Sequence, residues 1–420
     1  MSRLLKIAAL ATAGIFAAVR PLLSRGSSPA DASIDEGPRE CAGKPGLRHR
    51  LWKLAKHFAL FLVVLTIGGF LAAASGIIPI KASSGHWAIT RWLLSFSMHR
   101  SIATHTLGLE TPSLDEPRLV LKGAGTYENN CRACHGSPEL RNPRVAQAMT
   151  PRPPYLPPVI SEWETEELFY LVKHGVKLTG MPAWPSQQRD DEVWAMVAFL
   201  RKYPGLSAEE YKRLVSGDAL LNRDGAPIQG LLGPENVPRA INESCGRCHG
   251  LDGLGRGLGA FPKLAGQNPA YLYASLQAFA RGERHSGIME PIAAGLGIEK
   301  MRELALYYGS LKALPPLPVQ GETALAIERG REIALHGIPN QRVPTCAACH
   351  GPTDQPRNPI YPLLAGQYAD YLVLHLQLFK EERRGGSAYA HLMRPTAAHL
   401  TPEQIRDVAL YYASIGGTEE

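Results

Sequence analysis

Six of the chain's seven cysteines fall in three copies of one five-residue pattern: Cys131-Arg-Ala-Cys134-His135, Cys245-Gly-Arg-Cys248-His249 and Cys346-Ala-Ala-Cys349-His350. At this chain's own usage of Cys and His, roughly 0.004 copies of C-x-x-C-H would arise by chance. The spacing has a chemical meaning. Two thiols three residues apart can both add to the vinyl groups of one haem, and the adjacent imidazole is then held beneath the porphyrin as the proximal iron ligand. The chain is therefore expected to carry three covalently attached haem c groups, each bound by one Cys/Cys/His set.

A second feature bears on compartment. Residues 58–80 (FALFLVVLTIGGFLAAASGIIPI) contain no charge, and a run of that length crosses a hydrocarbon core of about 30 Å as a helix. Basic residues crowd its N-terminal side, from Arg48 to Lys56, while only Lys81 and Arg91 follow closely. The positive-inside rule then puts the N-terminus in the cytoplasm and everything after Ile80 outside, in the periplasm of a Gram-negative cell. The expected topology is single-pass in the inner membrane. A buried core helix would not need such length or flanks, and a signal peptide would not lie so deep in the chain. The shorter apolar run at 7–19 stays open between a signal-like core, an extra span and sequence upstream of a misplaced start.

Charge follows the same division. The net +7 comes from a tail: residues 1–56 hold ten Lys/Arg and four acids, leaving 35 and 34 for the remainder. A nearly neutral bulk removes the main support for nucleic-acid binding.

Three other uses of the cysteines compete. Structural zinc needs four ligands per site, and the spare Cys41 lies on the opposite side of the expected membrane span. A thioredoxin-like pair needs a βαβ setting that the local sequence lacks. Disulfides between repeats leave the recurrent histidine unexplained.

A second axial ligand should follow each motif. Met181 sits in LTGMPAWP, Met289 in SGIMEPIAAGL and Met393 in AHLMRPTAAHL, each 40 to 46 residues after its histidine and just ahead of the last helix of its unit. Met149, His285 and His391 are the respective rivals.

With 420 residues the chain has room for about two to four compact units, and it repeats internally. Pro262-Lys-Leu-Ala-Gly-Gln267 matches Pro362-Leu-Leu-Ala-Gly-Gln367, Tyr271-Leu272 matches Tyr371-Leu372, and LALYYGS at 304–310 matches VALYYAS at 408–414. Thr401-Pro402-Glu403-Gln404 spells an N-cap, an N1 proline and a capping-box Gln before Ile405, Val408, Ala409 and Tyr412 at helical spacing. The expected fold is all-α. The expected order is a basic tail at 1–57, a transmembrane helix at 58–80 and a segment at 81–115. Three haem units at 116–216, 237–312 and 321–420 follow, joined by linkers at 217–236 and 313–320. In 81–115, Trp87, Ile89, Trp92, Leu93, Phe96 and Ile102 fit either an amphipathic helix in the membrane interface or a helix packed on the first unit.

On these residues the chain resembles membrane-anchored c-type cytochromes built from class I cytochrome c domains. Residues 230–420 resemble the di-haem cytochrome c4 family, through CHG, FPxLAGQ or YPLLAGQ, the YL...LQ.F helix, the distal Met and the closing ALYY helix. Residues 83–211 are similar to membrane-anchored mono-haem cytochromes with a GMPAW loop. The resemblance implies His/Met ligation, with the Pro262 and Pro362 carbonyls receiving the proximal imidazole N–H. One departure is Val237 and Ile241 in place of the Gly123 and Tyr127 pair that precedes the first motif.

An iron with both axial positions filled by protein exchanges electrons and has no place for a reactant. The expected role is single-electron transfer between respiratory donor and acceptor proteins, from a quinol-oxidising complex toward a terminal oxidase or reductase, with no catalytic residue. Two alternatives stand: the cytochrome subunit of a periplasmic quinoprotein or flavoprotein dehydrogenase, and a peroxidase with one open iron.

Overall fold

The computed structural model describes residues 46–216, 241–257, 259–312 and 322–416. The apolar run at 7–19, Cys41, Val237 and the linkers at 217–236 and 313–320 lie outside the described residues. Two compact units divide the chain, 1–79 and 80–420.

In the first, one helix runs over Leu47–Ala74 and none of its residues is buried in the protein. It differs in register from the run expected at 58–80. The helix begins among the basic residues because nothing between Leu47 and Phe58 breaks it, and Lys56 folds its ammonium over the Trp52 ring. It stops at Ala74 because Gly76 takes φ +71 and Pro79 follows, leaving Ser75 to Ile80 outside the helix. By length and composition this helix is apolar enough to cross a membrane.

The part from residue 80 to 420 is helical, and among the described residues it contains isolated β-bridges and no strand. A helix over Ala88–His105 opens it. Its C-terminal half docks: Ile102 is buried, His99 stacks on Trp163 and His105 leans on Tyr170. Its N-terminal half leaves Trp87, Ile89, Trp92, Leu93 and Phe96 exposed.

Three cores follow, one around each motif. The first gathers Tyr127, Leu168, Val193, Met196, Val197, Phe199 and Tyr203; the second Ile241, Leu272, Leu304 and Tyr308; the third Leu372, Leu400, Ile405, Val408 and Tyr412. Full burial of one such side chain stabilises by about 1.5–3 kcal/mol. Helices Pro117–Thr126 and Asp190–Lys202 cross at Gly123, where a Cβ would lie 2.2 Å from the Ala195 carbonyl oxygen. The crossing of Glu322–His336 with Pro402–Ser414 uses Gly330 the same way, 2.0 Å from the Asp407 carbonyl. In the second unit Ile241 is fully buried four residues before Cys245, where the first unit has Tyr127 before Cys131. The capping box read at Thr401 is formed: its hydroxyl accepts from Gln404 N–H at 3.2 Å, and the Gln404 side chain accepts from Thr401 N–H at 2.9 Å.

Candidate haem-binding sites

Each C-x-x-C-H stretch ends a short helical turn at a glycine of positive φ: Gly136 at 75°, Gly250 at 78° and Gly351 at 75°. That conformation suits glycine alone and turns the chain away just after the histidine. A tyrosine of the closing helix then ties the turn down. Tyr203, Tyr308 and Tyr412 donate their hydroxyls to the Gly136, Gly250 and Gly351 carbonyls at 3.3, 3.2 and 2.8 Å. Tyr308 and Tyr412 lie in their units' last helices and Tyr203 directly follows Asp190–Lys202, so each fixes the motif at the other end of its unit.

The three imidazoles are oriented alike. Nδ1 of His135, His249 and His350 lies 2.8, 3.1 and 2.8 Å from the carbonyl oxygens of Pro154, Pro262 and Pro362. A carbonyl only accepts, so Nδ1 carries the proton and Nε2 keeps its lone pair, the tautomer a metal-binding imidazole needs. Burial holds all three below their ordinary range, against the smaller opposing effect of the carbonyl bond. The two prolines expected from the resemblance occupy this role. Pro154 does so in the first unit, where nineteen residues separate it from its histidine instead of thirteen or twelve; that longer interval hid it in the sequence.

Burial pushes the Cys131 and Cys248 thiols up to about 12, and Cys245 and Cys346 up to about 11. This is the reverse of the lowered thiols used in disulfide exchange. Among the described residues no group of three His, Cys, Asp or Glu converges as an ion site.

One cavity of about 550 Å³ serves the second and third motifs together. Cys245, Cys248, His249 and Met289 line it, and so do Cys346, Cys349, His350 and Met393. The rivals His285 and His391 do not line it. His285 donates its backbone N–H to the Arg384 carbonyl, and His391 is exposed with Nδ1 on Ala388 O. In the first unit Met149 and the Met181 loop come together: a Cβ on Gly180 would meet the Met149 methyl at 2.0 Å.

The same cavity holds two buried guanidiniums, Arg284 and Arg384, which sequence reasoning missed. Arg284 donates to Tyr271, Ser275 and Tyr371 hydroxyls at 3.1, 2.9 and 3.1 Å, and its Nε has no partner. Arg384 donates to His375 Nδ1 at 2.9 Å and to Gly385 O at 3.2 Å. None of these partners is a carboxylate. Burial, and then Arg284, drives Arg384 down to about 10. Two buried cations with no carboxylate bonded to them among the described residues make the cavity suited to an anionic ligand. Haem c carries two propionate carboxylates, so the residues present fit it.

Comparison with known proteins agrees. The family model described as cytochrome c oxidase, cbb3-type, subunit III matches residues 118–200, and the cytochrome c model matches residues 327–415. The "Thiosulfate dehydrogenase electron acceptor" of Stutzerimonas stutzeri (strain A1501) is 34% identical over 176 residues, 42% of this chain and 81% of that protein. Cytochrome c-552 of Acidithiobacillus ferridurans is 32% identical over 183 residues, covering 43% and 76%. Cytochrome c4 of Thiocapsa roseopersicina is 33% identical over 180 residues, covering 42% and 90%. With motif, tautomer and buried cations all suited to haem, the chain belongs to the c-type cytochromes, electron-transfer proteins with covalently bound haem c, and resembles the di-haem cytochromes c4.

Proposed function

We propose that this protein is a membrane-anchored tri-haem cytochrome c that carries single electrons in the periplasm, from a quinol-oxidising donor toward a terminal oxidase or reductase. The observation that carries the reading is the threefold recurrence of one proximal arrangement, a C-x-x-C-H turn whose imidazole donates through Nδ1 to a proline carbonyl. Haem c supplies a one-electron iron couple when attached. Cys131 and Cys134, Cys245 and Cys248, and Cys346 and Cys349 hold it as thioethers. His135, His249 and His350 would bind its iron through Nε2.

Met181, Met289 and Met393 would supply the second protein ligand. The assignments of Met289 and Met393 are supported by their place on the cavity wall, which the rival histidines lack. A thioether ligand favours the ferrous state and raises the potential, which suits a carrier working downstream of quinol oxidation. Arg284 and Arg384 would offset the charge of the haem propionates.

The membrane assignment is supported by the Leu47–Ala74 helix and by the basic residues in its first turns, which favour a cytoplasmic start and periplasmic haem units at 116–216, 237–312 and 321–420. The exposed Trp87, Trp92 and Phe96 support contact of segment 81–115 with the membrane interface.

A second reading is favoured by the name of the Stutzerimonas relative: the chain accepts electrons from a periplasmic dehydrogenase. A redox titration with haem counted per chain tests the core proposal, and fewer than three haems overturns it. Rapid reduction by a quinol-oxidising complex supports the first role. Copurification with a dehydrogenase that reduces it directly supports the second.

A further inference from the structure

The first unit grips the second at the loop that carries Met289. Glu192, in the first turn of helix Asp190–Lys202, is 3% exposed. Its Oε1 accepts from the Ser286 hydroxyl at 2.7 Å and pairs with Arg189 at 3.0 Å. Its Oε2 accepts from Gly287 N–H at 2.7 Å and from Trp184 Nε1–H at 3.4 Å. The Ser286 hydroxyl, having spent its proton on Glu192, accepts from Met289 N–H at 3.1 Å. Arg189 also donates to the His285 carbonyl at 2.7 Å.

Packing follows the same line. Ile288 belongs to the first unit's core, and a Cβ on Gly287 would lie 2.0 Å from Trp184 Nε1, so only glycine fits there. Trp184 comes from the GMPAW loop that carries Met181. The internal repeat shows what the seam adds. Counting from Arg284 and Arg384, Gly386 of the third unit stands where the second has Ser286, and four more residues intervene before Met393. The third unit's loop is tied to the second by backbone bonds, Gly386 N–H on Glu283 O and His285 N–H on Arg384 O; the second unit's loop is held in addition by the buried carboxylate of the first.

We propose that Glu192 of the first unit is a positioning residue for the second haem: through Ser286 and Gly287 it holds the loop that presents Met289, so the first unit helps set the potential of the second. This rests on the reading of Met289 as an iron ligand. A buried carboxylate with four donors is rigid, because each bond is made in low dielectric and losing any one leaves an unpaired group. The first unit's Met181 loop, through Trp184, and the second unit's Met289 loop share that carboxylate, which makes the seam a hydrogen-bonded route between the two distal sides.

The test uses the full-length haem-loaded protein and variants E192A, S286A, M289L and D407N, read by optical redox titration and by the ferric methionine-to-iron charge-transfer band. E192A and S286A should keep full haem content, lose one haem's share of the band and shift one redox component downward, the same component that M289L removes. D407N, an equally buried carboxylate of the third unit, should leave that component in place. The proposal is overturned if E192A, or S286A where E192A does not fold, leaves every component at its wild-type position while M289L abolishes one. A shift of the same component by D407N also overturns it, since loosening anywhere would then suffice. If M289L changes nothing, the ligand assignment itself has failed, and the positioning role with it.

Discussion

Gln267 and Gln367 each close two hydrogen bonds on the other's unit. Gln267 accepts from Leu363 N–H at 2.9 Å and donates to Leu363 O at 2.9 Å; Gln367 accepts from Lys263 N–H at 3.1 Å and donates to Lys263 O at 3.0 Å. Lys263 and Leu363 directly follow Pro262 and Pro362. The peptide whose carbonyl receives a proximal imidazole therefore offers its own N–H to the opposite glutamine. The duplication seen in sequence has become a pseudo-two-fold interface, in which equivalent residues meet each other's counterparts.

Loss of either amide strands a buried N–H and C=O. Gln267→Leu and Gln367→Leu should each destabilise by about 1–3 kcal/mol, measured by denaturant unfolding followed at the haem absorption and by circular dichroism. Wild-type stability in either variant would remove the clasp from the account of the interface.

Each thiol pair should hold one haem. Replacing Cys131 and Cys134 together by serine should lower the haem count per chain by one and leave two redox components, with the same result for Cys245/Cys248 and Cys346/Cys349. Pyridine haemochrome assay against protein concentration reads this directly, and an unchanged count for any pair refutes its attachment role.

Removal of a buried cation beside the haem cavity should favour the oxidised, more positive iron. Arg284→Leu and Arg384→Leu are expected to lower the potential of one or both cavity haems by the equivalent of about 1–2 kcal/mol, with the lysine variants nearer wild type. Redox titration near neutral pH, where both guanidiniums are charged, checks the sign; an upward shift would contradict a propionate partner.

Asp191 should confer acid sensitivity. Burial opposes its ionisation, but the Lys122 ammonium and the Arg189 guanidinium outweigh that and hold it well below the usual carboxylate range. A depressed folded-state value means its contribution is complete above about pH 4, the unfolded value, and is lost as pH falls through the folded value. Asp191→Asn should cost about 3 kcal/mol near neutral pH, and the gap from wild type should narrow as pH is lowered below about 4. Urea unfolding across that range tests it, and a constant gap would show that the carboxylate is not ionised in this cluster.

Deleting residues 1–80 should release the haem-loaded remainder from membranes without changing its redox components, measured by fractionation and titration. Retention on vesicles should then depend on Trp87, Trp92 and Phe96, and their alanine variants should weaken it. A truncated protein that stays in the integral fraction would place the anchor elsewhere.

The three C-x-x-C-H motifs, the helical class and the duplication were legible in the chain because they are local. C-x-x-C-H is five consecutive residues, the capping box at Thr401 spans four, and an amphipathic period repeats every turn. Met289 and Met393 could be picked out by their recurrence, yet their advantage over His285 and His391 appears only as a shared cavity wall. Helix ends near the apolar run were less legible, since basic residues continue a helix as readily as apolar ones do and only Gly76 and Pro79 stop it. Pro154, the Arg284 and Arg384 pair, the Gln267–Gln367 clasp and the Glu192 seam were decided by tertiary structure alone. Each depends on groups brought together from distant parts of the chain, where burial turns an ordinary side chain into an obligatory partner, and no spacing in one sequence encodes which distant group it will meet.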